Sequence, residues 1–166
     1  MVHIYVLQKH ASDIEGIKGL VRFRNEVLEI LPYNHIVYGT SPEEFEQYIA
    51  SGKPLDMLFT GNVFASALDF FPLGFGAISK AMTQNASTVA RRVKEANPNS
   101  VTVLYSALPD STLFIDAVVE KTSGSLWNPS VHMPLAQLIS SPNLDSYIAN
   151  RDLPGISREF PYFRLL

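Results

Sequence analysis

The sequence contains no cysteine. That excludes disulfides, thiolate catalysis and cysteine-based metal sites, but it leaves the compartment open, because disulfide-free chains occur anywhere. Charge is also sparse: Asp, Glu, Lys and Arg make up 17% of the 166 residues, below the usual quarter, so a relatively uncharged surface is available to a partner. Net charge is -3, and the basic residues are scattered apart from Arg91-Arg92 and Lys94. This pattern offers no footprint for nucleic acid or an anionic membrane. Long apolar runs are missing too. The longest, Val63 to Ile78, is broken by Asp69, Pro72 and two glycines and is too short to span a bilayer as a helix. Met1 to Leu7 shows neither a basic leader nor a small-residue cleavage signal, so it reads as a first strand and cytoplasm is the expected location.

What is present suits one domain over residues 1–166, with 46% apolar residues and enough length for a real core. His3 to Leu7 reads as a strand buried on both faces. Ser12-Asp13-Ile14-Glu15 predicts a capping box that opens a helix reaching about Leu31, with Ile17, Val21, Val27, Leu28 and Leu31 facing inward and Pro32 stopping it. A second strand falls at His35 to Tyr38. Ser41-Pro42-Glu43-Glu44 predicts the next helix start, with serine as cap, proline at the first helical position and Glu44 reaching back; Phe45, Tyr48 and Ile49 share one face and Gly52 ends it.

Leu55 to Phe59 is the third strand. A long region from Asn62 to about Gln84 follows, enlarged and rich in Phe, Gly and Ala, before a helix from about Asn85 to Glu95. Val101 to Tyr105 is the clearest strand. Asp110 is read as the cap of a helix through Leu113 to Val119, Ser125 to Trp127 as a short fifth strand, and Pro134 to Ile139 as a last helix, continued by Asp145 to Ala149. A C-terminal extension, about residues 150–166, is aromatic enough to pack on the domain or against a partner. Hydrophobic strands alternating with amphipathic helices specify α/β architecture: a doubly wound, five-stranded parallel sheet covered on both faces, order 2-1-3-4-5, a flavodoxin-like three-layer sandwich.

In that topology the carboxyl ends of strands one, three, four and five converge on one crevice. They carry Gln8-Lys9-His10, Thr60-Gly61-Asn62, Ser106-Ala107 and Asn128-Pro129. With Lys53-Pro54-Leu55-Asp56 leading into the third strand and Tyr105-Ser106-Ala107 closing the fourth, residues 2 to about 140 resemble the receiver domain of two-component response regulators. The resemblance implies a signalling role and a phosphate-accepting aspartate five residues after Asp56. That position is Gly61. It also implies a magnesium-binding acidic pair after the first strand, where Gln8, Lys9 and His10 stand, and a lysine before proline on the fifth strand, where Asn128 stands.

The crevice is therefore expected to be a degenerate one, formed by Gln8, Lys9, Thr60, Gly61, Asn62, Ser106 and Asn128, with no catalytic, cofactor-binding or metal-binding residue. A hard divalent cation wants anionic oxygen ligands and phosphoryl capture on a carboxylate needs that carboxylate; glycine supplies neither. Asp13, as a helix-cap residue, is read as lying outside the pocket, and Asp56 at the far end of its strand. Ser106 is read as making a local backbone hydrogen bond and Lys9 as solvated. His10 has no acid, Ser or Cys to orient or use it, and His3, His35 and His132 share no metal-like spacing.

The expected function is that of a pseudo-receiver: a phosphorylation-independent, non-enzymatic signalling or regulatory domain that binds a protein partner and no cofactor. Its contact region is placed on helix 113–119, strand 125–127, the last helix and the long insertion, through which it can also form a homodimer. Phe70, Phe71, Phe75, Tyr105 and Trp127 are the candidate anchors, although the insertion's aromatics equally suit covering the core. The rival reading is a flavodoxin-like small-ligand-binding protein or enzyme, in which Thr60, Asn62, Ser106 and Asn128 hold an anion or flavin. A third is an assembly role in a larger complex.

Overall fold

His3–Leu7 (β1) lies in the middle of a twisted sheet, and the residues beside it explain why. Ile4 and Val6 point to one face, Tyr5 and Leu7 to the other, and all four are at most 2% exposed, so this strand needs cover on both sides. The computed structural model describes residues 1–29, 32–62, 85–106, 113–121 and 129–166. The other strands are β2 (His35–Gly39), β3 (Met57–Thr60), β4 (Val101–Ser106), β5 (Ala117–Glu120) and β6 (Phe163–Leu165). Their order is 2-1-3-4-5-6. The first five run parallel, and β6 pairs antiparallel with β5.

Helix α1 (Ala11–Val27) and a short helix α4 (Met133–Ile139) cover one face, where Ile14, Ile17, Leu135, Leu138 and Ile139 meet Ile4, Val6, Phe59, Val103 and Val119. Helices α2 (Pro42–Ala50) and α3 (Ala86–Ala96) cover the other. There Phe45, Tyr48, Val89 and Val93 pack on Tyr5, Leu7 and Leu58, while Ala86 and Ala90 pack on Leu104 and Val118. The result is the receiver-like, flavodoxin-like α/β sandwich with one added edge strand.

Local chemistry sets several boundaries. Ser41 Oγ accepts from Glu44 N at 3.2 Å, Pro42 occupies the first helical position, and Gly52 follows at φ +71, a conformation that glycine reaches without steric cost. Asn85 Oδ1 caps α3 by accepting from Thr88 N at 2.9 Å. The capping box at Ser12 does not form: α1 begins at Ala11 with His10 as its cap residue, and Glu15 instead lies 3.7 Å from Lys18. The helix also ends early, at Val27, so Val27 and Leu28 are exposed rather than inward.

The largest correction concerns 113–119. These residues are not a helix. Phe114 sits at φ +63, which interrupts a right-handed helix, and Ala117–Glu120 is the fifth strand. Its start is pinned by Asp116, whose Oδ2 accepts from Thr102 N at 2.8 Å and from Lys94 Nζ at 2.6 Å. The expected strand at Ser125–Trp127 and the insertion's residues 63–84 lie outside the described residues. The C-terminal segment packs back on the sheet. Helix α5 (Leu144–Ala149) is separate from α4, α6 (Leu153–Glu159) follows, and β6 then adds a sixth strand that the five-stranded expectation lacked. Among the described residues no helix is long and apolar enough to cross a membrane.

Candidate functional site

Parallel strands place their carboxyl ends along one edge of the sheet, so β1, β3, β4 and β5 bring Gln8, Gly61, Ser106 and Lys121 together. These residues line a recess of about 170 Å³ with Lys9, His10, Asp13, Asn62 and Tyr105. Of the residues expected there, Gln8, Lys9, Gly61, Asn62 and Ser106 line it. Thr60 is fully buried and donates to Gly61 O at 3.1 Å. Asn128 lies outside the described residues, as do Phe70, Phe71, Phe75 and Trp127. Tyr105, taken as a surface anchor, is 1% exposed; its position on a fully covered strand turns it inward.

Three residues that the sequence reading left aside hold the recess together. Asp13, in the first turn of α1, points into it: Oδ2 is 3.1 Å from Lys121 Nζ and Oδ1 is 3.2 Å from His132 Nε2. His132 ends the short 3-10 helix Pro129–His132 and is only 5% exposed. Its Nδ1 is 2.6 Å from the Tyr105 hydroxyl. Lys121 follows β5, lies 5.2 Å over the Tyr105 ring, and has Gln8 Oε1 at 3.5 Å. The chain of contacts therefore runs Tyr105, His132, Asp13, Lys121.

Electrostatics fixes the protonation of this chain. The hydrogen bond from His132 holds the Asp13 carboxyl down from 3.8 to about 2; partial burial opposes it and Lys121 reinforces it. Burial, and then the Asp13 charge, push the Tyr105 phenol above its ordinary value, so the phenol stays protonated. His132 bridges the two: its Nε2 donates to the Asp13 carboxylate, and its Nδ1 shares a hydrogen bond with the Tyr105 hydroxyl.

This arrangement corrects two expectations. Asp13 is inside the pocket, because the cap of α1 is His10, two residues before the expected Ser12, and the first turn faces the sheet edge. A lysine does stand at the end of the fifth strand: Lys121 takes the place given to Asn128, once Ala117–Glu120 is recognised as that strand. The available signal was the β-branched pair Val118-Val119 leading to Glu120-Lys121. Asp56 is at the opposite end, with its Oδ2 2.8 Å from His3 N and 3.2 Å from His3 Nδ1.

Chemically, the recess has a cation whose charge is already met within the chain. At Gly61 there is no carboxylate, although a β-carbon there would meet Gln8 at only 3.7 Å, an ordinary contact. A β-carbon is thus tolerated at Gly61, and the carboxylate that lines the recess is Asp13. Gln8 is 2% exposed and uses its amide to donate to Leu7 O at 3.0 Å. Among the described residues no group of three or more His, Cys, Asp or Glu is arranged to hold a metal ion. A larger groove of about 360 Å³ lies between α2 and α3, but Glu46 and Arg92 on its rim pair with each other at 2.9 and 3.2 Å.

Comparison with known proteins finds similarity to a curated protein and to a solved structure. No protein-family model matches the chain. The flagellum site-determining protein YlxH of Helicobacter pylori is 28% identical over 108 residues, 63% of this chain and 37% of that protein, so the chain spans little more than a third of the relative's length. A signal receiver domain of an HD domain-containing protein from Pseudomonas fluorescens Pf-5 superposes with a TM-score of 0.53 at 15% identity, covering 91% of this chain and 92% of the other. At that identity the likeness is one of fold: the chain has the architecture of a receiver domain.

Proposed function

We propose that the chain is a receiver-like regulatory domain that works without phosphoryl transfer and without catalysis of its own, by contact with a protein partner. The observation that carries this reading is the Asp13–Lys121 ion pair beside Gly61. In a receiver the fifth-strand lysine contacts the phosphoryl group. Here it contacts a carboxylate of the same chain, and no aspartate stands at the acceptor position. The crevice carries its own anion, so the surface around it is held in one state rather than toggled.

The small-ligand reading has less support. A recess of about 170 Å³ is smaller than the roughly 300–1,000 Å³ that drug-sized ligands and cofactors occupy, and its Lys121 is engaged by Asp13.

The test is incubation with a small acyl-phosphate donor and magnesium, followed by intact mass measurement. Unchanged mass is expected. A stoichiometric phosphoryl adduct on an aspartate would sink the proposal.

A further inference from the structure

Helix α1 carries an apolar stripe that its own sheet does not use. Ile14, Ile17 and Val21 supply the inward side. Phe23, Val27 and Leu28 are 52%, 58% and 52% exposed. Phe23 and Val27 are four residues apart and so lie on one face; half-buried Leu20 extends the stripe by a turn. Tyr33, 47% exposed, borders the same end of the helix, sharing a recess with Val21 and Asn25.

The charges beside the stripe are ordered. Lys18, Arg22 and Glu26 follow at steps of four residues, one row along the helix that turns from basic to acidic toward its end; Glu29 lies past the helix at φ +51. Arg22, Glu26 and Glu29 are exposed and have no ion-pair partner among the described residues. Lys18 is loosely engaged, 3.7 Å from Glu15 and 5.3 Å over the Tyr38 ring.

We propose that this face binds a second copy of the chain, α1 against α1, antiparallel about a two-fold axis near Phe23 and Arg24. An antiparallel pair sets the same row of each helix side by side in opposite directions. Arg22 then meets Glu26 of the second copy, twice, once on each side of the axis. Leu20 packs against Val27 and Leu28 across the axis, while the two Phe23 rings meet beside it. A parallel pair loses this match, so the order of charge selects both the occupant and its direction. The inference is independent of the crevice, and stands whether or not the domain accepts a phosphoryl group.

Sedimentation velocity across a concentration series, with charge-reversed variants, tests it. A reversible dimer is expected. Arg22→Glu or Glu26→Arg alone turns two symmetry-related attractions into repulsions and raises the dissociation constant about tenfold or more. The double variant Arg22→Glu, Glu26→Arg restores the complementary order and returns dimerisation to within about threefold of the native chain, a recovery that a folding defect does not produce. Phe23→Glu gives monomer. A chain that stays monomeric at every concentration overturns the proposal. So does a dimer indifferent to the single reversals, or one that the double reversal does not rescue.

Discussion

Asp13→Ala is expected to lower the unfolding free energy by about 2–3 kcal/mol, because it strips the partner from a lysine and a histidine at once. The Asp13 and Lys121 side chains are 18% and 21% exposed, and His132 is 6% exposed. Their desolvation is therefore only partly relieved when the carboxylate goes, and the loss falls at or below the lower end of the range for breaking a buried pair. The same network makes a pH prediction. Asp13 has its carboxyl pKa depressed from 3.8 to about 2 in the fold. A depressed carboxyl contributes stability that is fully present above its unfolded value and is lost as pH falls through its folded one. Between about pH 4 and pH 2 the native chain should lose about 2 kcal/mol that Asp13→Asn does not lose, with the remaining acids common to both. Denaturant unfolding of the two proteins across that window reads the difference directly. Parallel curves would show that Asp13 is solvated and that the crevice is not closed by it.

A second large effect is expected at the other end of the chain. Phe163 is fully buried, sits opposite Val119 in the β5–β6 pair, and belongs to the main core with Ile156, Leu144 and Leu138. Phe163→Ala removes a ring from a site bounded by sheet backbone, which collapses poorly, and should cost about 4 kcal/mol. Phe163→Leu, which keeps most of the volume, should cost about 1.5 kcal/mol or less. Equilibrium unfolding of both variants gives the comparison. A loss below about 1 kcal/mol for the alanine variant would mean that the last strand contributes little to the fold.

The parts of the fold that were legible in the sequence are those fixed by neighbours along the chain. β1, β3 and β4 are short apolar runs bounded by turn residues. α2 is announced by Ser41 and Pro42, and Gly52 closes it. β5 and β6 depend on contacts far away in sequence. Leu113 to Val119 is a run with no usable period, and a short apolar run reads equally as helix or strand. What decides is Asp116 reaching Thr102 and Lys94, together with the left-handed Phe114. Phe163–Leu165 has only three residues; it becomes a strand because β5 offers an edge to pair with.

The site divides along the same line. Gln8, Gly61, Asn62 and Ser106 follow from topology alone, since each closes or follows a strand in the expected order. Asp13, Lys121 and His132 do not. Lys121 is placed by the position of β5, Asp13 by where α1 begins, and His132 by a 3-10 turn packed against α1. Gly16 records that last contact: a β-carbon there would lie 3.0 Å from His132 Cδ2, so the helix leaves room for the ring. Misplacing the fifth strand thus hid the lysine, and misplacing the start of α1 hid the acid that neutralises it.

The central claim is that the crevice holds its own anion against Lys121. Carbon-13 NMR of the Asp13 carboxyl across a pH titration, in the native chain and in Lys121→Met, tests this most directly. The account predicts a midpoint near 2 in the native chain and a clearly higher one without the lysine, since Lys121 helps hold it down. A native midpoint at or above the ordinary 3.8, unmoved by Lys121→Met, would contradict it.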